Sequence, residues 1–351
     1  MHRLRQKMKE KGLNAFLVSK PENIRYLSGF TGGEDAKLLI LEDEQYIITD
    51  TRYREQAARE APHFELLLDK FPYLEALNKV RRSCWDRLGI ESLHLTYHEY
   101  RMLESTLDVD LFPLEYEVEE LRMVKEEEEL ECIREAARIG DMVFEEIVSF
   151  LKPGITEKKI ADRIAFLLRE KGCAKEAFDV IAAAGENASL PHARPGEKAV
   201  KPGEMLILDY GGFYEGYAAD MTRTVFIGSP SAYFQDAYRE VLKAQKIGIS
   251  VVRAGIKASK VDEAVRDYLK SSGLGDYFVH STGHGLGLEI HEKPALSPAG
   301  DIELKENMVV TIEPGIYIPG KGGIRIEDTV IVKKDGCEII TRTDKELRII
   351  F

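Results

Sequence analysis

Three imidazoles stand among glycines in the stretch H-S-T-G-H-G-L-G-L-E-I-H-E at 280–292, as His280, His284 and His291 beside Gly283, Gly285 and Gly287. Glycine lets a ligand approach the backbone closely and permits chain angles other residues resist. Imidazoles in such a setting bind a metal or move protons near neutral pH. Carboxylates supply the other half of the chemistry. The apolar runs at 206–208 and 309–312 end on Asp209 and Glu313, and the β-rich segments 217–226 and 323–332 contain Asp220 and Glu327. Taken singly, each acid reads equally well as a turn residue or a helix cap. An unpaired buried carboxylate, however, costs on the order of several kcal/mol. Four gathered together repel one another and take up protons unless cations hold them. Two divalent ions balance four carboxylates, and oxygen ligands with one imidazole suit Mn2+, Co2+ or Zn2+ without choosing among them.

An internal repeat would gather these acids. One helix opens at Pro153-Gly154-Ile155 and runs through Ile160, Ile164 and Leu168 to Gly172. Another opens at Ala254-Gly255-Ile256 and runs through Val261, Val265 and Leu269 to Gly273, at a constant offset (255 − 154 = 101). Farther on, K-P-G-E-M-L-I-L-D at 201–209 matches K-E-N-M-V-V-T-I-E at 305–313 (313 − 209 = 104). Each half thus has a helix, a strand ending in an acid, and a second strand carrying another. An ordered series of this kind implies duplicated halves about a pseudo-twofold axis, with the carboxylates meeting at their junction.

The first half is preceded by a long amphipathic helix, on which Leu130, Ile133, Ala137, Val143, Ile147 and Leu151 share a face. The acidic run at 126–129 reads as its solvated, dipole-favoured first turn. Before it, about 115 residues read as an α/β domain. An N-terminal helix is followed by an apolar run at 15–19, a turn at Pro21-Glu22-Asn23, a hairpin at 37–41 and 45–49, a strand at 65–68, a helix at 73–88 and a strand at 92–95. Tyr53 and Arg54 read as a solvated helix start. The boundary falls within 115–123, dividing the chain into 1–118 and 119–351.

Bulk properties narrow the class. The chain has 351 residues, too many for one ordinary core, and a formal net charge of -12, which argues against nucleic-acid or anionic-membrane partners. It has no 18-residue apolar run for a transmembrane helix and no apolar segment of a secretory signal near its start. Cys84, Cys132, Cys173 and Cys337 are far apart and read as reduced thiols of a cytoplasmic protein.

In their order, Asp209, Asp220, His284, Glu313 and Glu327 resemble the five ligands of the pita-bread dinuclear metallopeptidases, a family that includes methionine aminopeptidase, aminopeptidase P, prolidase and the metal-free creatinase. The resemblance covers essentially the whole chain. Its motifs are L-P-H at 190–192, L-D-Y-G-G-F-Y-E-G-Y-A-A-D-M-T-R-T at 208–224, the histidine segment, T-I-E-P-G at 311–315 and G-I-R-I-E-D at 323–328. It implies an α+β chain: a creatinase-like mixed α/β N-terminal domain, then a duplicated pita-bread catalytic domain. It also implies that Asp209 holds one ion, that His284 and Glu313 hold the other, that Asp220 and Glu327 bridge both, and that a hydroxide between the ions is the nucleophile. His192 and His291 resemble the family's two substrate-contacting imidazoles, His280 a further pocket histidine, and Arg325 the arginine that orients the site. On its own, Arg325 reads as a partner for Asp328 or another nearby acid. Glu292 resembles no ligand and reads as a surface or supporting group. Tyr210, Phe213 and Tyr217 are candidates for the pocket wall, with core packing the preferred reading for at least one of them.

The full ligand set speaks against creatinase, and the N-terminal domain and histidine pattern favour the proline-directed branch. An imide bond to proline has no N–H and a fixed φ, so it calls for a specially shaped site. The resemblance therefore implies an Xaa-Pro aminopeptidase, or alternatively an Xaa-Pro dipeptidase (prolidase). It is expected to be a cytoplasmic homodimer that cuts short proline-containing peptides with two ions, Mn2+ or Co2+ ahead of Zn2+. A non-catalytic binding module is the reading from another class.

Overall fold

The structure, a computed structural model, describes residues 1–70, 73–81 and 85–351 and divides into two compact units, Met1–Arg122 and Met123–Phe351. The division falls within 115–123, at the end of the short helix Glu119–Arg122, which belongs with what precedes it. Its Arg122 is 1% exposed and donates from Nη1 to Asn23 Oδ1 at 2.8 Å.

The first unit contains α1 (His2–Glu10), β1 (Ala15–Val18), α2 (Pro21–Ser28), β2 (Ala36–Leu41), β3 (Gln45–Thr49), α3 (Arg54–Glu60), β4 (Glu65–Leu68), α4 (Leu74–Arg81), β5 (Arg87–Glu91), α5 (Tyr97–Thr106), β6 (Asp110–Leu114) and α6 (Glu119–Arg122). Its strands form one mixed sheet in the order β4-β3-β2-β1-β5-β6. The two-residue period of a strand sorts the apolar residues of β1 to opposite faces. Ala15 and Leu17 pack with Leu77 and Leu103, whereas Phe16 and Val18 pack with Leu4, Ile24 and Ala57.

Three local expectations are corrected. Pro21-Glu22-Asn23 opens α2 instead of forming a turn, because proline at the first helical position loses no intrahelical bond. The helix expected over 73–88 stops at Arg81 among the described residues. Leu88 and Ile90 continue its apolar spacing but belong to β5, which pairs in parallel with β1. The strand expected at 92–95 is a turn whose His94 and Leu95 N–H groups donate to Glu91 O. Among the described cysteines, Cys132, Cys173 and Cys337 form no disulfide; Cys84 lies outside the described residues.

The second unit begins with α7 (Glu127–Phe150) and α8 (Glu157–Glu170), followed by β7 (Lys175–Glu176), β8 (Ile181–Ala184), β9 (Glu204–Tyr210), β10 (Gly212–Tyr214), β11 (Tyr217–Ala218) and β12 (Met221–Ile227). Then the order recurs in α9 (Ala232–Val251), α10 (Ala258–Ser271), β13 (Gly283–Gly285), β14 (Glu292–Leu296), β15 (Val309–Ile312), β16 (Gly315–Ile318), β17 (Gly322–Arg325) and β18 (Asp328–Lys333), and the chain closes with β19 (Gly336–Ile339) and β20 (Arg348–Ile350). On α7 the six residues expected to share a face are buried through Ile147, with Leu151 at the C-cap. In its acidic first turn Glu127 and Glu128 are solvated, but Glu129 turns inward and accepts from Tyr217 Oη at 3.1 Å.

Duplication extends to single backbone bonds. Gly154 N donates to Val200 O, and Gly255 N to Leu304 O, each at 2.8 Å. Lys158 N donates to Gly196 O at 3.0 Å, and Ser259 N to Gly300 O at 2.9 Å. Each half builds a sheet, β20-β12-β9-β8 in one, antiparallel except that β20 joins β12 in parallel, and the fully antiparallel β14-β13-β15-β18-β19 in the other. Helices cover them: Ile160 and Ile164 of α8 pack with Leu206 and Leu208, and Ala258 and Val261 of α10 pack with Val310 and Ile312.

In both halves the long hairpin changes sheets partway along. Beyond β9 and before β12 the chain forms β10 and β11, which join β7; beyond β15 and before β18 it forms the separate pair β16-β17. The continuous strands expected over 217–226 and 323–332 are therefore each broken, just at Asp220 and Glu327. At the second break the backbone turns to the other half, and Glu327 N donates to Thr222 O at 3.1 Å. At the first, the strands lie so close that a Cβ on Gly211 would sit 1.7 Å from Ala219 O. Gly211→Ala should therefore cost about 1–3 kcal/mol of stability, as overpacking does. It should read out as a lowered urea midpoint; a midpoint equal to the parent's would show that the hairpin has room there.

Candidate metal centre

The sheet switches place the acids. Asp209 is the penultimate residue of β9, Asp220 directly precedes β12, Glu313 directly follows β15, Glu327 directly precedes β18, and His284 is the middle residue of β13. All five line one cavity of about 480 Å³, together with His192, His280, His291 and Arg325. Ligand atoms of Asp220, His284 and Glu327 lie within 4.8 Å of one another. His284 Nε2 is 3.6 Å from both Asp220 Oδ2 and Glu313 Oε1.

The donor set fits divalent cations. Asp209 Oδ1, Asp220 Oδ1 and Glu327 Oε1 are buried and have no hydrogen-bond partner among the described residues. Buried polar atoms are normally paired, so three orphaned carboxylate oxygens in one cavity mark the place of an electropositive group. His284 Nδ1 lies 3.0 Å from Gly285 O, which can only accept, so the ring proton sits on Nδ1 and Nε2 faces the acids bare. Burial and mutual repulsion raise the carboxyl pKa values. Asp220 is pushed well above its ordinary range by burial and by Glu327, and Glu313 likewise. Glu327 is pushed to about 8 by burial and by Asp209. Burial lowers His284 to about 4, keeping it a neutral ligand.

A second layer fixes these groups. Thr222 Oγ1 donates to Glu327 Oε2 at 2.7 Å, and Thr329 Oγ1 donates to Asp220 O at 2.7 Å. Each half therefore steadies the other half's acid. Arg325 pairs with Asp209 at 2.5 Å; Asp328 pairs instead with Arg223, at 2.8 Å, and with Lys345. Arg325 also donates to Tyr317 Oη at 2.6 Å and to Pro191 O at 3.2 Å. Because that arginine only donates, the Tyr317 hydroxyl hydrogen is free to point to His280 Nε2, 2.9 Å away. His280 Nδ1 then donates to Ser281 O at 2.8 Å, so both ring nitrogens are engaged. His291 stacks edge-on against His284, with ring centroids 4.4 Å apart. Burial lowers its pKa, and His192 adds to the effect.

Some readings need correction. Tyr210 is buried in the core with its hydroxyl on Gly140 O, Tyr217 reaches Glu129, and Phe213 carries Lys175 over its ring; none lines the cavity. Glu292 is no surface group. It forms a buried ion pair with Lys125 at 3.1 Å, the two side chains being 6% and 1% exposed. Sequence reasoning missed Tyr317, Thr222 and Thr329, and also Phe178, Asp179 and Arg194 on the cavity wall. For the threonines a signal existed: D-M-T at 220–222 and E-D-T at 327–329 repeat an acid followed two residues later by threonine.

The chain belongs to metallopeptidase family M24, whose model matches residues 131–334; that of the creatinase/prolidase N-terminal domain matches residues 1–124. With its α+β architecture and duplicated second unit, it has the pita-bread fold, and it is a metallopeptidase. A solved structure of an Xaa-Pro dipeptidase from Bacillus anthracis is 40% identical, with a TM-score of 0.97 over 99% of this chain and 98% of that one. The X-Pro aminopeptidase from Thermotoga maritima is 37% identical, with a TM-score of 0.91 over 99% of each chain. An Xaa-Pro dipeptidase from Pyrococcus furiosus is 35% identical over 97% of both chains.

Stability should depend on pH in a way set by the acids. For Glu327 the folded pKa is about 8 against an ordinary 4.5, so the metal-free folded state holds the extra proton between those values. Stability is then fully present below about pH 4.5 and falls as pH rises towards about 8. Divalent cations that replace the protons should flatten that fall. Melting curves of chelator-treated and Mn2+-loaded protein across this range test it; parallel profiles would show that no cation takes the protons' place.

Proposed function

We propose that this chain is an Xaa-Pro dipeptidase that holds two divalent ions on Asp209, Asp220, His284, Glu313 and Glu327. The observation that carries the metal reading is the trio of orphaned carboxylate oxygens facing a bare imidazole nitrogen in one cavity. The dipeptidase reading replaces the preference for an aminopeptidase. It is supported by the B. anthracis and P. furiosus dipeptidases, the former having the higher identity and TM-score of the two solved structures compared. Mn2+ or Co2+ suits the ligand set, with Zn2+ the third candidate.

When bound, the ions lower the pKa of water and polarise the scissile carbonyl. The chain's own residues do the rest. Arg325 holds Asp209 in place and, through Pro191 O, ties the loop carrying His192 to the same point. His291, whose pKa burial lowers, offers an N–H to the carbonyl oxygen as negative charge develops there, and His192, lining the same cavity, a second. His280 acts through Tyr317 and walls the pocket with its ring. In this reading Asp220 and Glu327, which belong to different halves, would be the acids available to both ions.

Ala-Pro should be hydrolysed by the metal-loaded protein and Ala-Pro-Ala should not; cleavage of the tripeptide at a comparable rate would return the reading to an aminopeptidase. Asp220→Ala should lose both ions together in an elemental analysis, and retention of one would show that this acid serves a single ion. His192→Ala should keep its full metal content and lose about 10²-fold or more in kcat. An unchanged kcat would remove the residue from the chemistry.

A further inference from the structure

The free carboxylate of an Xaa-Pro dipeptide is two bonds from the nitrogen of the scissile bond. By standard bond lengths its carbon lies only about 2.5 Å from that nitrogen. Its counter-ion must therefore line the same cavity that holds the metal-binding acids. That cavity is hostile to an anion before metal binds, with Asp209, Asp220, Glu313 and Glu327 on its walls. Two arginines also line it, Arg325 and Arg194.

Arg325 has four of its five N–H donors committed, and its charge is paired with Asp209. Its Nε donates to Thr222 Oγ1 at 3.1 Å, Nη1 to Tyr317 Oη and Pro191 O, and Nη2 to Asp209 Oδ2. Arg194 is the opposite case. Among the described residues it has no hydrogen-bond or ion-pair partner, although Asp179 lines the same cavity. Its loop is nevertheless held firmly. The fully buried Glu157 accepts from Ala184 N at 2.8 Å, from Asn187 Nδ2 at 3.0 Å and from Gly196 N at 3.3 Å, and so ties down both ends. Arg325 grips the middle at Pro191 O, and Pro191 and Pro195 flank the exposed arginine. A guanidinium displayed on a braced loop over an acidic cavity, and pairing with none of its acids, is arranged for an anion that arrives with the substrate.

We infer that Arg194 binds the C-terminal carboxylate of the dipeptide and is the residue by which this site selects a free Xaa-Pro dipeptide over a longer chain. The inference rests on the dipeptidase reading. The planar fork of a guanidinium matches a carboxylate in two parallel hydrogen bonds, a geometry that lysine cannot reproduce. In a tripeptide the same position holds a neutral amide, and the charge-assisted pair is lost.

The test compares Ala-Pro, Ala-Pro-amide and Ala-Pro-Ala on the full-length, metal-loaded protein and on Arg194→Met and Arg194→Lys. The parent should prefer the acid over the amide by about tenfold to a hundredfold in kcat/KM, the worth of one charged hydrogen-bonded pair. Arg194→Met should raise KM for Ala-Pro by that factor and reduce the preference to within about twofold, while Arg194→Lys restores part of it. Competitive inhibition by free L-proline should weaken by the same factor in Arg194→Met, with metal content equal to the parent's. A parent that prefers the acid together with an Arg194→Met variant that keeps the preference would overturn the Arg194 assignment and leave the dipeptidase reading standing. A parent that cleaves Ala-Pro-Ala and the amide as fast as Ala-Pro overturns both.

Discussion

Four carboxylates held in one buried cavity are the constraint on which the second unit turns. Three of them carry an oxygen that no protein group satisfies, and at least three are raised in pKa by burial and by one another. No packing arrangement removes that repulsion; only protons or cations do. The fold keeps the acids together despite the cost, and the surrounding hydrogen bonds hold them in orientations useful to a metal. A neutral His284, with its proton committed to a backbone carbonyl, completes the set.

The duplicated architecture explains how such a cluster is made. Each half supplies a hairpin that leaves its main sheet, and the change of sheet exposes a side chain that a continuous strand would bury in the ladder or turn away. Because the halves are alike, the support is reciprocal: Thr222 steadies Glu327 and Thr329 steadies the backbone at Asp220. Arg223 and Arg325, two residues apart from Thr222 and Glu327 or nearer, then divide the remaining work. The first, with Lys345, neutralises Asp328, and the second orients Asp209 within the site.

Around this centre the wall is graded in how far its polar groups are committed to one another. Arg325, Tyr317 and His280 form a closed chain of hydrogen bonds, and Lys125 with Glu292 braces the segment next to His291 from beneath. His192 and Arg194 instead stand exposed on a loop anchored at Glu157 and at Pro191. Committed groups position the acids, and the groups on the anchored loop keep their hydrogen-bonding capacity unspent among the described residues.

Much of this was legible in the chain itself. The spacing of Ile160, Ile164 and Leu168 and its echo at Val261, Val265 and Leu269 announced two like halves, because amphipathic helices carry their packing face in their periodicity. The runs ending at Asp209 and Glu313 showed acids entering apolar surroundings. What periodicity cannot express is where a strand stops belonging to one sheet and joins another, so the breaks at Asp220 and Glu327 were read as continuous strand. Nor does it reveal hydrogen bonds between residues a hundred positions apart, which is why Tyr317 and the two threonines went unnoticed and Arg325 found Asp209 instead of Asp328. Residue types and their order determined which chemistry this protein could hold. Only the tertiary structure decided which donors are spent on one another and which remain free, since that depends on distances no linear pattern records.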